Sequence, residues 1–180
     1  MNALIFLIDT FASLYLLTFL LRLLLQIARA DFYHPIPQLI VRITNPLVVP
    51  ARRVIPSIRR FDLPTLVVLF ILQLAVVLVL DALTGFSRPI DGLLWVAIFE
   101  LLDKTIWVYL ICILIYIVLS WVGQSYHPLA IFAGQIINPL LRPARRLLPP
   151  TGGLDLSPMI VSIFLVAGLI LLADLRVLLG

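Results

Sequence analysis

Four arginines in two doublets, Arg52-Arg53 and Arg145-Arg146, stand at matching places in two copies of one motif. The guanidinium group is a rigid fork of donors suited to bidentate recognition of phosphate or carboxylate. The motif reads Asn45-Pro-Leu-Val-Val-Pro-Ala-Arg-Arg-Val-Ile-Pro56 and returns as Asn138-Pro-Leu-Leu-Arg-Pro-Ala-Arg-Arg-Leu-Leu-Pro149. At an offset of 93, residues 33–63 and 126–156 are identical at 14 of 31 positions. Two kinds of chemistry are open to the doublets. Near an anionic leaflet each arginine contributes about 1 kcal/mol, which supports lipid anchoring and topology. Alternatively, four arginines from two symmetric loops form one site for an anion or an acidic partner.

Other polar residues recur with the repeat. Asp62 and Asp155 precede apolar runs, with Pro64 and Pro158 close behind. A carboxylate there can cap the helix it precedes or pair with the arginines of its own loop; capping is the expected role, and both can hold at once. His34 and His127, each followed by proline, could approach a symmetry axis and ligate a metal or haem iron. The competing reading is a Tyr-His-Pro helix start at an interface, since Asp31 near the first histidine is matched by Gln124 near the second. Gln73 lies in the middle of an apolar run, where its amide needs a partner on another helix or a hydrated cavity. Its repeat equivalent is Val166, so a helix-to-helix hydrogen bond is expected rather than a pore lining. There is no Gly-rich phosphate loop, no GxSxG and no HExxH. Neither an enzyme nor a resident cofactor is expected.

The elements that position these residues are membrane helices. The chain of 180 residues is 63% hydrophobic and 12% charged, with a mean hydropathy of +1.18. One soluble core cannot hide that much apolar surface. Four spans are expected, at about 3–26, 63–80, 105–123 and 156–173. Arg22, near the end of the first, is expected to reach the headgroups along its own alkyl stem. Residues 90–104 carry Leu94, Ile98, Leu101 and Leu102 at helical spacing among Asp91, Glu100 and Asp103, which predicts a short interfacial helix. An extension of the third span is the alternative.

In each repeated motif Asn45 or Asn138 is expected to cap a short helix beginning at Pro46 or Pro139. Pro50 or Pro143 would kink that helix, and Pro56 or Pro149 would close it. The expected fold is an all-α membrane protein. Its four transmembrane helices form two parallel-repeated hairpins, residues 1–88 and 89–180, related by a pseudo-twofold axis along the membrane normal, with short amphipathic or kinked helices inside each hairpin.

Basic residues concentrate between spans one and two (Arg29, Arg42, Arg52, Arg53, Arg59, Arg60) and between spans three and four (Arg142, Arg145, Arg146). Such residues resist translocation, so both repeated loops are expected in the cytoplasm and both termini outside. A basic first loop and the lack of a basic n-region argue against a cleavable leader. Membrane lipids, a membrane-protein partner or a second copy are the expected partners, whereas nucleic acid is not. The single cysteine, Cys112, allows no intrachain disulfide.

At the repeated Asn-Pro-Leu-x-x-Pro-Ala-Arg-Arg-x-x-Pro, followed by aspartate and a proline, the chain resembles the YggT family of integral membrane proteins. The resemblance covers essentially the whole chain as two copies of a two-span module. The first copy departs from the second: Arg59-Arg60-Phe61-Asp62-Leu63-Pro64 stands where the second has Gly152-Gly153-Leu154-Asp155-Leu156-Ser157-Pro158. The resemblance implies a small bacterial inner-membrane protein without assigned enzymatic activity. Among relatives it implies links to osmotic or extracytoplasmic stress tolerance, to cell division and membrane organisation and, in plastids, to haem attachment. An ion pathway or ion-uptake component is the alternative, and it needs Gln73 to line a hydrated route.

Overall fold

The computed structural model describes residues 3–32, 34–57, 62–124, 126–147 and 155–179, and nearly all of them are helical. Tyr33, Arg59, Arg60, Pro149, Gly152, Gly153 and Leu154 lie outside the described residues. Six helices follow in order: α1 (Ala3–Ala28), α2 (Pro35–Val54), α3 (Leu63–Thr84), α4 (Ile90–Trp121), α5 (Pro128–Leu147) and α6 (Ser157–Leu179). Four of them, α1, α3, α4 and α6, are long and apolar enough to cross a bilayer. Large apolar side chains such as Phe6 and Phe11 on α1 and Phe164 and Leu171 on α6 stay exposed, as lipid-facing helices require.

Residues 90–104 do not form a separate interfacial helix. They continue into the third span as α4, 32 residues long, or roughly 48 Å at about 1.5 Å per residue. No glycine or proline lies between Leu93 and Trp121, and the Thr105 hydroxyl donates to the Leu101 carbonyl at 2.6 Å across the expected break. With nothing to interrupt the backbone ladder, the charged turn is carried into the bundle. The end of α3 is punctuated instead. Gly85 takes a left-handed φ of 73°, and the Phe86 N–H reaches back to the Asp81 carbonyl at 3.0 Å.

The helices of the repeated motif are longer than expected and begin earlier. α2 and α5 each have 20 residues and open at Pro35 and Pro128, where a proline's missing N–H is not needed. Asn45 and Asn138 are therefore mid-helix and cap nothing. Pro46 and Pro50 in α2, like Pro139 and Pro143 in α5, stand one turn apart inside a helix that continues past them. α2 ends at Val54, where the Ile55 N–H still reaches Ala51 at 2.9 Å, and Pro56 follows.

Helix α2 has three faces. Pro37, Ile40, Thr44 and Val48 are buried. Leu39, Ile43, Leu47 and Pro50 form an exposed apolar face, and Gln38, Arg42 and Arg53 an exposed polar one. A helix divided in this way suits a boundary where protein, lipid and water meet. α5 is more enclosed, with Ala130, Ala133, Ile136, Ile137, Leu141 and Ala144 all buried. At Gly134 a Cβ would stand 3.4 Å from the Tyr116 ring, so α5 lies close on α4.

Within each repeat the three helices pack on one another in the same pairs. Between repeats α3 lies along α4 and α1 along α5, whereas α6 does not lie along α1 nor α2 along α4 to a similar extent. These contacts depart from the expected twofold relation, because the α1–α3 side of the first repeat meets the α4–α5 side of the second. The core, built around Leu16, Phe19, Leu20, Leu24 and Leu25 of α1, joins the two repeats through Ile136, Ile137 and Leu141 of α5. Cys112 lies in this core at 4% exposure. We expect its thiol to resist a membrane-permeant maleimide in the folded protein and to label fully after denaturation; mass spectrometry of the labelled chain checks this.

Candidate functional site

Arg22 is the organising side chain of the first repeat. It is 4% exposed rather than extended toward headgroups, because its partners lie on neighbouring helices. Its Nη1 donates to Thr44 Oγ1 at 2.6 Å and to Asn45 Oδ1 at 3.0 Å. Its Nε lies 4.0 Å from Asp62 Oδ2. The Thr44 hydroxyl in turn donates to the Ile40 carbonyl at 2.7 Å. Asp62 is fully buried, and its Oδ2 accepts from Arg52 Nη2 at 2.7 Å and from Thr65 Oγ1 at 2.6 Å. One hydrogen-bonded cluster thus ties α1, α2 and α3 together.

Asp62 occupies the N-cap position of α3 but makes no side-chain bond to a backbone N–H among the described residues. The second residue of α3 is Pro64, which has no N–H to offer, so the carboxylate serves Arg52 and Thr65 instead. The second repeat solves the same problem with fewer parts. Arg145 Nε donates to Asp155 Oδ2 at 2.8 Å and its Nη1 to Asn138 Oδ1 at 3.2 Å. The Ser157 N–H donates to Asp155 Oδ1 at 3.0 Å, so this aspartate both caps and pairs. At the places of Arg22, Thr44 and Thr65 the second repeat has Ile115, Ile137 and Pro158. Its clamp is also wetter, with Arg145 and Asp155 side chains 34% and 36% exposed.

The doublets therefore divide their labour. Arg52 and Arg145 hold the helices together. Arg53 and Arg146 are exposed and form no ion pair among the described residues, and Arg42 and Arg142 behave likewise.

Burial pushes the Asp62 carboxyl up, but hydrogen bonds from Arg52 and Thr65, with the charges of Arg52 and Arg22, outweigh it. The group lies below the ordinary carboxylate value. Asp155 is also lowered on balance, since bonds from Ser157 and Arg145 exceed the cost of its burial.

His34 and His127 each stand at a helix start. His34 is the N-cap residue of α2 and its carbonyl accepts the Gln38 N–H at 3.2 Å. His127 Nδ1 accepts the Leu129 N–H at 3.2 Å. Among the described residues no group of three or more metal-ligating side chains is gathered.

Gln73 is fully buried and its amide is used at both ends. Nε2 donates to Glu100 Oε2 at 2.7 Å, while Lys104 Nζ donates to Gln73 Oε1 at 3.2 Å and to Glu100 Oε2 at 3.1 Å. The expected helix-to-helix bond is present, and its partner is an ion pair one turn apart on α4. Glu100 and Lys104 were hidden in the sequence because they read as the wet face of an interfacial helix. Near this triad, toward the end of the bundle away from the arginine clamps, a cavity of about 630 Å³ reaches Asp9, Asp81, Arg88 and Glu100.

Helices of this length and apolarity, clamped by a duplicated polar motif, define an all-helical, multi-pass membrane protein. The family model described as CCB3/YggT matches residues 1–83 and 95–176, and the chain belongs to that family. It is similar to the uncharacterized protein YggT of Escherichia coli (strain K12), 41% identical over 166 residues, which cover 92% of this chain and 86% of the relative. An uncharacterized protein of Pseudomonas aeruginosa is 42% identical over 163 residues, 87% of this chain and 81% of the relative. An uncharacterized protein of Vibrio alginolyticus is 37% identical over 177 residues, 97% of this chain and 96% of the relative. No solved structure matches the chain.

Two outcomes follow from the clamp. Asp62→Ala leaves Arg22 and Arg52 without their shared carboxylate and should lower unfolding stability by roughly 3 kcal/mol, the cost of opening a buried pair; denaturant unfolding in detergent measures it. Because both aspartates titrate below their unfolded values, their contribution is complete above the ordinary carboxylate range and is lost as pH falls below about 4. A thermal midpoint that is flat near neutrality and drops below that pH, less steeply in Asp62→Asn, is the expected profile.

Proposed function

We propose that this protein is a non-catalytic membrane-organising scaffold whose two arginine helices bind anionic lipid headgroups at the cytoplasmic leaflet. The observation that carries this reading is the division within each doublet. One arginine is committed to an aspartate, while Arg53 or Arg146, together with Arg42 or Arg142, is exposed beside the apolar spans. Guanidinium groups at that level meet lipid phosphates. The clamp keeps α2 and α5 at fixed attitudes to the spans, so the exposed arginines are presented together rather than on free tails. Gln73 is engaged by Glu100 and Lys104, which makes it a helix-packing group and weakens the case for a pore.

The test leaves the clamps intact. Native mass spectrometry of the purified protein with phosphatidylglycerol and phosphatidylcholine would compare wild type with Arg42→Gln/Arg53→Gln/Arg142→Gln/Arg146→Gln. Loss of two arginines per helix removes about 2 kcal/mol of headgroup attraction, roughly a 30-fold weaker retention of the anionic lipid at each site. The thermal midpoint without lipid should be unchanged. Equal retention of both lipids by wild type, or unchanged retention by the variant, would overturn the proposal.

A further inference from the structure

The cavity at the opposite end of the bundle has the composition of a binding site. It is an open groove of about 630 Å³ between α1, α3 and the α3–α4 turn, and its volume is within the size range of small-molecule sites. Its walls include Phe6, Val77, Leu80 and Phe86, and its polar groups include Asp9, Asp81, Arg88 and Glu100.

The charges around it do not balance. Glu100 is engaged by Lys104 and Gln73. Asp81 is only 8% exposed, and its one ion pair among the described residues, from Oδ1 to Arg88 Nη1, is 3.4 Å long. Charge-assisted bonds run nearer 2.7–2.9 Å. The second oxygen, Oδ2, is buried without a hydrogen-bond partner among the described residues. Asp9 is exposed on the cavity wall and forms no ion pair among the described residues. Among the described residues, three carboxylates, Asp9, Asp81 and Glu100, thus line the cavity with one cation, Arg88, while Lys104 holds Glu100 from outside the lining; at the edge of a low-dielectric medium the excess negative charge attracts a cation.

The nature of that cation follows from the walls. Among the described residues no three carboxylates converge as a metal would need. Apolar and aromatic surfaces, by contrast, suit the carbon-bound hydrogens of an alkylated ammonium, and phenyl faces attract such a charge. Arg88 already uses the Phe86 ring in this way, with its guanidinium carbon 5.6 Å from the centroid.

We propose that this cavity binds an organic ammonium group, with its charge at Asp9 and Asp81 and its carbon substituents against Phe6, Val77 and Leu80. The same chemistry is presented by a free amphipathic amine and by an aminophospholipid headgroup.

The experiment titrates the protein, in neutral maltoside micelles, with hexyltrimethylammonium, whose charge does not depend on pH. Isothermal titration calorimetry gives the readout against protein-free micelles, and hexanesulfonate serves as the anionic control. Saturable binding of the ammonium alone is expected, at least tenfold weaker in Asp81→Asn and in Asp9→Asn. Asp9→Asn changes an exposed position and keeps the test valid if the buried substitution impairs folding. Competition by added phosphatidylethanolamine would assign the site to the lipid headgroup, and unchanged binding in its presence would assign it to a free amine. No saturable binding, equal affinity in a folded Asp9→Asn variant, or comparable binding of hexanesulfonate would overturn the proposal.

Discussion

A guanidinium withdrawn from water has to find acceptors, and the position of Arg22 inside α1 makes that requirement a constraint on three helices. Its acceptors come from the middle of α2 and the entry to α3. α2 can neither rotate nor slide without stranding a buried charge, at a cost of several kcal/mol. The polar cluster therefore does what apolar packing does poorly in lipid, where one hydrocarbon surface is as good as another: it selects a single register.

That register gives α2 its three faces. With Thr44 turned to Arg22, the residues one-third of a turn away on either side are committed, Leu39, Ile43 and Leu47 to an apolar exposed face and Arg42 and Arg53 to a polar one. In the second repeat, isoleucines replace Arg22 and Thr44, and the clamp shrinks to Arg145, Asn138 and Asp155 at a partly exposed position. α5 is held instead by burial against α1, α4 and α6. One motif is thus retained in two energetic settings, a buried polar cluster and an apolar seat with a wet polar edge.

The union of the repeats rests on a different polar device. Gln73 of the first repeat is bound by Glu100 and Lys104 of the second. The equivalents of these residues on the outer surfaces are Val166, Leu7 and Phe11, all large, apolar and exposed. Polar groups mark where repeat meets repeat, and apolar groups mark where the chain faces outward. This is how a duplicated sequence specifies one internal joint, since an amide or an ion pair left in hydrocarbon would be penalised at any other place.

Local sequence determined the class of the protein: the helical spans and the repeat were legible because they depend on composition and near neighbours, and the pairing of Asp155 with Arg145 was one of two roles it left open. Starts were misplaced where a local signal was ambiguous, as at Asn45 and Asn138, whose cap-like dipeptides lie inside helices already begun at Pro35 and Pro128. The continuity of α4 was an open alternative, since charged residues at helical spacing look the same on a wet surface as on a buried joint. Only the tertiary structure decided that Arg22 turns inward, that Asp62 is buried between Arg52 and Arg22, and that Glu100 and Lys104 answer Gln73. Each of those outcomes depends on a partner 22 or more residues away or on another helix. The energy of a buried polar group is set by what surrounds it in space, which neither residue type nor spacing along the chain contains.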